Sequence, residues 1–164
     1  MKQVELLSPV GDFECLKAAI QNGANAVYLG SSSFSARASA TNFGEDELKK
    51  AIEYAHLRNV KINLTLNTLI KNNEFEEAFN IAKLAYEYGV DAIIVQDLGL
   101  AKQIISAFPD LPVHASTQMT AHNLESVKKL EEFGFKRVVL CRELSIEEIK
   151  YICDNCKADI EVFV

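Results

Sequence analysis

Short apolar runs alternate with amphipathic segments along the whole chain. The runs, at 4–8, 26–30, 61–67, 92–97, 113–116, 137–141 and 160–164, have the length of β-strands. Between them apolar residues recur with helical period over roughly 12–22, 45–58, 73–88, 98–107, 122–133 and 145–155. Similar signals mark the joins. Asn22-Gly23 and Tyr88-Gly89 each place a glycine where a helix ends in a left-handed residue, and the next strand starts a few residues on. Ser145-Ile146-Glu147-Glu148 reads as a capping box, and Asn42 or Gly44 with Glu45 opens the second helix.

Strict alternation of strand and helix implies parallel strands joined by helical crossovers. An open doubly wound sheet and a barrel both satisfy that rule. Strand three separates them: Ile62, Leu64 and Leu66 share one face, and Asn63, Thr65 and Asn67 share the other. A strand covered by helices on both sides should be apolar on both faces. A barrel strand can turn an apolar face to its helices and a polar face inward. The sequence therefore predicts an α/β fold, an incomplete TIM-type (βα)8 barrel of seven strands and six helices. It is one domain over residues 1–164, expected to be the N-terminal part of a longer protein.

Composition narrows the partners. Of 164 residues 49% are hydrophobic and 24% charged, as in an ordinary globular domain. A formal charge of −6 argues against a broad nucleic-acid-binding face but leaves room for a local basic patch. No apolar stretch reaches the roughly 18 residues of a membrane span, and no signal peptide opens the chain, so the expected location is cytoplasmic. The uncovered first and last strands predict self-association.

Barrel sites form at the C-terminal ends of the strands. That rule selects Tyr28, Arg37 in the long loop after strand two, Asn67, Asp97, the run His114-Ala115-Ser116-Thr117-Gln118, and Arg142-Glu143. His114, Arg142, Glu143 and Asp97 are the candidate catalytic residues. Arg37, Asn67, Ser116, Gln118 and Tyr28 are candidate substrate contacts. Each has a plainer alternative. His114, Ser116 and Gln118 line one side of a strand that stays extended, or they form a hydrogen-bonded set at the barrel top. Arg142 and Glu143 are either an anion-binding arginine beside a general acid or base, or an ion pair or helix-entry contact. Arg37 is either an anion clamp or a solvated loop residue. Glu5 and Glu161 lie in the terminal strands: either they face inward, where a carboxylate needs a partner such as Lys61 or its pKa rises, or they are simply exposed because the segment is incomplete. Cys153 and Cys156 form a single C-x-x-C at the far end of a helix, a weak metal signal, and no residue is assigned as a metal ligand. No G-x-S-x-G elbow, P-loop or H-E-x-x-H is present.

The rim segments carry a resemblance. Glu5-Leu6-Leu7-Ser8-Pro9 with Gly11-Asp12, Ala26-Val27-Tyr28-Leu29-Gly30, Phe34-Ser35-Ala36-Arg37-Ala38, Thr65-Leu66-Asn67-Thr68, Val95-Gln96-Asp97-Leu98-Gly99, His114–Gln118 and Arg142-Glu143-Leu144-Ser145 resemble, in order, the peptidase U32 (collagenase-like protease) family. The resemblance spans essentially the whole chain and leans toward the branch that hydroxylates ribosomal RNA without oxygen. It implies an RNA or peptide substrate, a further C-terminal region, and an iron–sulfur cluster held by cysteines beyond Glu161-Val162-Phe163-Val164. Neither Cys141 nor Cys153 and Cys156 match those positions, so no cofactor is expected within this segment. RNA hydroxylation is the expected function, with peptide hydrolysis and a non-catalytic binding barrel as alternatives. Alone, this segment is expected to be inactive.

Overall fold

The computed structural model describes residues 4–31, 33–36 and 43–164. Seven strands, β1 (Leu7–Pro9), β2 (Ala26–Gly30), β3 (Lys61–Leu66), β4 (Ala92–Val95), β5 (Val113–Ala115), β6 (Arg137–Val139) and β7 (Asp159–Glu161), form one parallel sheet in sequence order. The crossovers are α1 (Phe13–Gln21), α2 (Glu45–His56), α3 (Phe75–Tyr88), α4 (Leu98–Ala107), α5 (Leu124–Phe133) and α6 (Ile146–Asn155). The sheet curls into an open barrel, as the alternation and the two-faced third strand predict.

Register fixes the two faces. The helix-side core contains Val27, Leu29, Ile62, Leu64, Ile93 and Val138 together with the buried stripes of the helices. Burying each such side chain contributes roughly 1.5–3 kcal/mol. Ala26, Ala92, Ile94 and Val139 are just as buried, yet they stand apart from that cluster because they point into the lumen. The same parity turns Tyr28, Asn63, Thr65, His114, Arg137 and Glu161 inward.

The expected turn chemistry is present. Gly23 and Gly89 have φ of 92° and 85° where α1 and α3 end. Ser145 Oγ accepts from Glu148 N–H at 3.3 Å while the Glu148 carboxylate accepts from Ser145 N–H at 2.8 Å. At α2 the cap is Gly44, whose N–H donates to Glu47 at 3.3 Å. The strands are shorter than the apolar runs. β1 begins at Leu7 because the Leu6 N–H and C=O pair with Asn25 and Ala26 in the following turn. β4 stops at Val95 and β5 at Ala115 because helix caps follow at Asp97 and Ser116.

The lumen floor is ionic. Arg137 Nη1 donates to Glu5 at 2.7 Å and lies 3.6 Å from Glu161, and Nη2 lies 3.9 Å from Asp159. Lys61 Nζ takes the other Glu5 oxygen at 2.7 Å, which is the partner anticipated from sequence. Burial alone would raise the Glu5 pKa, but the Lys61 and Arg137 contacts outweigh it and hold the carboxyl below its usual range. Glu161 goes the other way, because burial outweighs the attraction of Arg137.

Replacing Arg137 with Met strands these carboxylates. Urea unfolding at pH 7 should show a loss of about 3–5 kcal/mol. The loss should shrink as pH falls, because Glu161, its pKa raised by burial, takes up a proton first. A loss that stays constant between pH 7 and 4 would mean the guanidinium acts through packing alone.

Candidate functional site

The loop after β2 folds back over the C-terminal end of β3. Ser35 Oγ and Thr65 Oγ1 are 3.0 Å apart, Thr65 Oγ1 donates to Leu29 C=O at 3.1 Å, and Ala36 N–H donates to Asn67 Oδ1 at 3.0 Å. Phe34, at φ 60°, turns the chain into this arrangement and packs against the core. Asn67 therefore anchors the loop through its carbonyl. Arg37, one residue beyond Ala36, lies outside the described residues. Tyr28 is half-buried inside the lumen, in register with Asn63.

Asp97, selected from sequence as catalytic, is occupied by the backbone. It caps α4: one carboxylate oxygen accepts from Leu100 N–H at 2.9 Å and the other from Ile70 N–H at 3.4 Å. A strand-end position in a βα loop is also a helix N-cap, and sequence spacing does not separate the two roles.

The expectation that His114, Ser116 and Gln118 project together needs correction. β5 ends at Ala115, and a 3-10 helix over Thr117–Met119 takes the chain sideways. Ser116 caps that turn, its Oγ accepting from Gln118 N–H at 3.2 Å. Gln118 is consequently exposed at the rim while His114 stays in the lumen. His114 is 6% exposed, and its Nδ1 has no hydrogen-bond partner among the described residues. Burial, and then the Arg137 charge, push its pKa down to about 3, so the ring is neutral. Ser116 Oγ and His114 do not pair, so the two do not form a nucleophile and its base.

Arg142 and Glu143 follow β6 and are both exposed. Instead of pairing with Glu143, Arg142 places its guanidinium 5.5 Å from the centre of the Phe163 ring. Sequence reading did not single out Phe163, which lies two residues beyond β7 as Arg142 lies three beyond β6. Cys141, between β6 and Arg142, is half-buried, and burial and Glu143 raise its thiol pKa. Cys15, Cys141, Cys153 and Cys156 are all free thiols. Among the described residues no three His, Cys, Asp or Glu side chains gather as metal ligands. An iron–sulfur cluster takes four cysteine ligands, and no such group stands among the described residues.

The family model for peptidase family U32 matches residues 11–164. The chain belongs to the peptidase U32 family. Among U32 relatives, a 23S rRNA 5-hydroxycytidine synthase of Escherichia coli is 40% identical over 99% of this chain and 24% of its own length. A tRNA hydroxylation protein P of Helicobacter pylori is 40% identical over 100% of this chain and 39% of its own. A collagenase of Porphyromonas gingivalis is 33% identical over 94% and 37%. The chain thus spans between a quarter and two fifths of these relatives. A solved U32 peptidase superposes with a TM-score of 0.76 over 98% of this chain and 68% of its own, at 13% identity, and shares the barrel fold. No helix among the described residues is long and apolar enough to cross a membrane.

Two outcomes follow from this geometry. Asp97→Ala should cost about 1 kcal/mol of stability through loss of the α4 cap, while Asp97→Asn keeps most of it; equal melting temperatures for both variants would contradict the capping role. For His114, the folded ring stays neutral while the unfolded ring protonates below its ordinary pKa of 6.5. Stability is then fully present above about pH 6.5 and is lost as pH falls toward 3, about 2 kcal/mol of it between pH 7 and 5. In His114→Gln that slope should flatten, and comparing the two proteins cancels the opposite contribution of Glu161. Parallel stability curves would place His114 in a solvated setting.

Proposed function

We propose that this chain forms the substrate-facing part of an RNA hydroxylase. The observation that carries the reading is its 40% identity, over essentially all of its length, to proteins named for hydroxylating ribosomal and transfer RNA. The geometry agrees with that choice on one point. Peptide-bond hydrolysis by an activated serine needs a base within hydrogen-bond reach of the hydroxyl, and here Ser116 caps a turn while His114 lies apart from it. The rim instead presents exposed planar and amide groups, Arg142 and Gln118, suited to an unpaired base.

Hydroxylation also needs a redox centre. We place it, as an iron–sulfur cluster, in sequence beyond these 164 residues, consistent with relatives two and a half to four times as long. The residues described here would bind and orient RNA. The collagenase relative keeps peptide hydrolysis as the second reading.

The test is genetic and chemical. Nucleosides from ribosomal and transfer RNA of a strain lacking the gene are compared by mass spectrometry with those of the parent and of the complemented strain. A hydroxylated pyrimidine should vanish on deletion and return on complementation, and the complete gene product purified without oxygen should contain iron and sulfide. Unchanged nucleosides, together with cleavage of collagen-like peptides by the purified protein, would overturn the proposal in favour of the peptidase.

A further inference from the structure

Buried polar atoms are nearly always paired, so an exception asks what else meets it. Among the described residues two buried side-chain atoms lack a hydrogen-bond partner, His114 Nδ1 and Glu161 Oε2. Glu161 Oε2 still has Arg137 Nη1 at 3.6 Å, which leaves His114 Nδ1 as the atom without any partner. His114 is 6% exposed. Its strand is laddered to β4 on one side and to β6 on the other, so its burial does not depend on either end of the chain. It sits two residues below Ser116 at the rim, roughly 7 Å down the lumen. Barrels of this size have an interior that side chains fill or that holds one small ligand. Here the inward positions include Gly30 and Ala92, in register with Thr65 and Asn63, and these occupy little of it.

We propose that the lumen takes one unpaired pyrimidine base of the RNA, and that His114 Nδ1 hydrogen-bonds to the edge of that base. The inference rests on the RNA reading given above and gives that reading its base site. The bulk of an RNA touches only the rim, whereas one base turned downward enters the lumen; a base out of its stack is read by hydrogen bonds to its edge. The ring that reads it is neutral, because burial and then the Arg137 charge hold its pKa down at about 3. A neutral imidazole offers one N–H and one acceptor, which suits an uncharged heterocycle. Phosphate is the wrong ligand, since Glu5, Asp159 and Glu161 outnumber Arg137 and Lys61 in the lumen. Ile94 and Val139, inward and buried, supply apolar contact for the base. With so low a pKa His114 is too weak a base to move protons near neutrality. Its part is recognition.

The experiment measures equilibrium binding of the complete gene product to unstructured fluorescent RNAs. These carry one central cytidine or uridine among adenosines, or the same strand with that base removed. The unaltered protein should prefer at least one pyrimidine strand to the abasic strand roughly 2- to 12-fold, the span of one hydrogen bond. His114→Phe keeps a ring without its nitrogens and should bring the strands to equal affinity. His114→Asn should keep the preference, because its amide stands where Nδ1 was. His114→Gln, whose amide reaches the place of Nε2 instead, should lose it; a purely structural histidine would not separate these two. Should His114→Phe fail to fold, His114→Gln carries the same test. An unchanged preference in both His114→Phe and His114→Gln would overturn the base contact and leave Nδ1 to an internal water. Equal affinity of the unaltered protein for all three strands would overturn the lumen site and leave the RNA reading intact. Displacement of the RNA by an equal concentration of a Gly-Pro-rich peptide would assign the lumen to peptide instead. Failure of the unaltered protein to bind any RNA would overturn the RNA reading itself, and the base site with it.

Discussion

The contact on which the rest depends is the reach of Glu5 across the lumen to Arg137, 132 residues later in the chain. Among the described residues, backbone ladders join each strand to its sequence neighbours, and the Glu5 contact adds a side-chain link across the lumen. Glu5, Asp159 and Glu161 face Arg137 and Lys61 there, three acids against two bases, which leaves one negative charge in excess. A group taken from water cannot carry that excess without cost. Burial, which Arg137 only partly offsets, raises the pKa of Glu161, so it takes up a proton more readily than Glu5. Ion pairing of this kind contributes little net stability compared with apolar packing, but it is specific. It fixes which face of each strand turns inward, since a one-residue slip would move Arg137 to the helix side.

That choice of face separates the barrel into two levels. At the floor, positive charge from Arg137 and the loss of water together keep His114 neutral. At the rim, the Ser35–Thr65 and Ala36–Asn67 contacts hold the β2 loop against β3. Phe34 adopts a left-handed conformation to permit this, at a cost of about 1 kcal/mol or more that the buried Ser35 contact offsets. Floor residues set the shape of the barrel, and rim residues are what a large substrate can touch. His114, though inside the strand set that sequence reasoning picked out, belongs to the lower level.

Much of this was legible in the sequence, for identifiable reasons. Strand three declared its two faces because Ile62, Leu64 and Leu66 alternate cleanly with Asn63, Thr65 and Asn67. Lys61 was readable as a partner for Glu5 because a lone carboxylate in an apolar strand needs one. Arg137 was not, since Lys136-Arg137 at the start of a strand looks like a solvated turn. Asp97 illustrates a deeper ambiguity: the rule that sites lie at strand ends also collects every aspartate that caps the following helix. Gln118 was misplaced because alternation assumes an extended chain, and the Ser116 side chain ends the strand by bonding its own turn. Arg142 was singled out as a rim residue, and its guanidinium lies over the ring of Phe163, which follows β7. Pairing across strands depends on register, which sequence spacing alone does not supply.

Charge constrains how such a barrel could hold RNA. With a net charge of −6, the chain gains little from the counterion release that drives general nucleic-acid binding. Phosphate attraction spread over the surface would be opposed by the acidic first turns of α2, α3 and α6. Those turns surround the rim from outside, because each parallel crossover starts its helix at the same end of the barrel. A strand of RNA would thus be repelled from the flanks and tolerated only where an unpaired cation is exposed. Arg142, exposed after β6, is such a cation. On the proposed RNA reading, these acidic flanks would disfavour duplex RNA, which presents two phosphate backbones, more than a single unpaired strand.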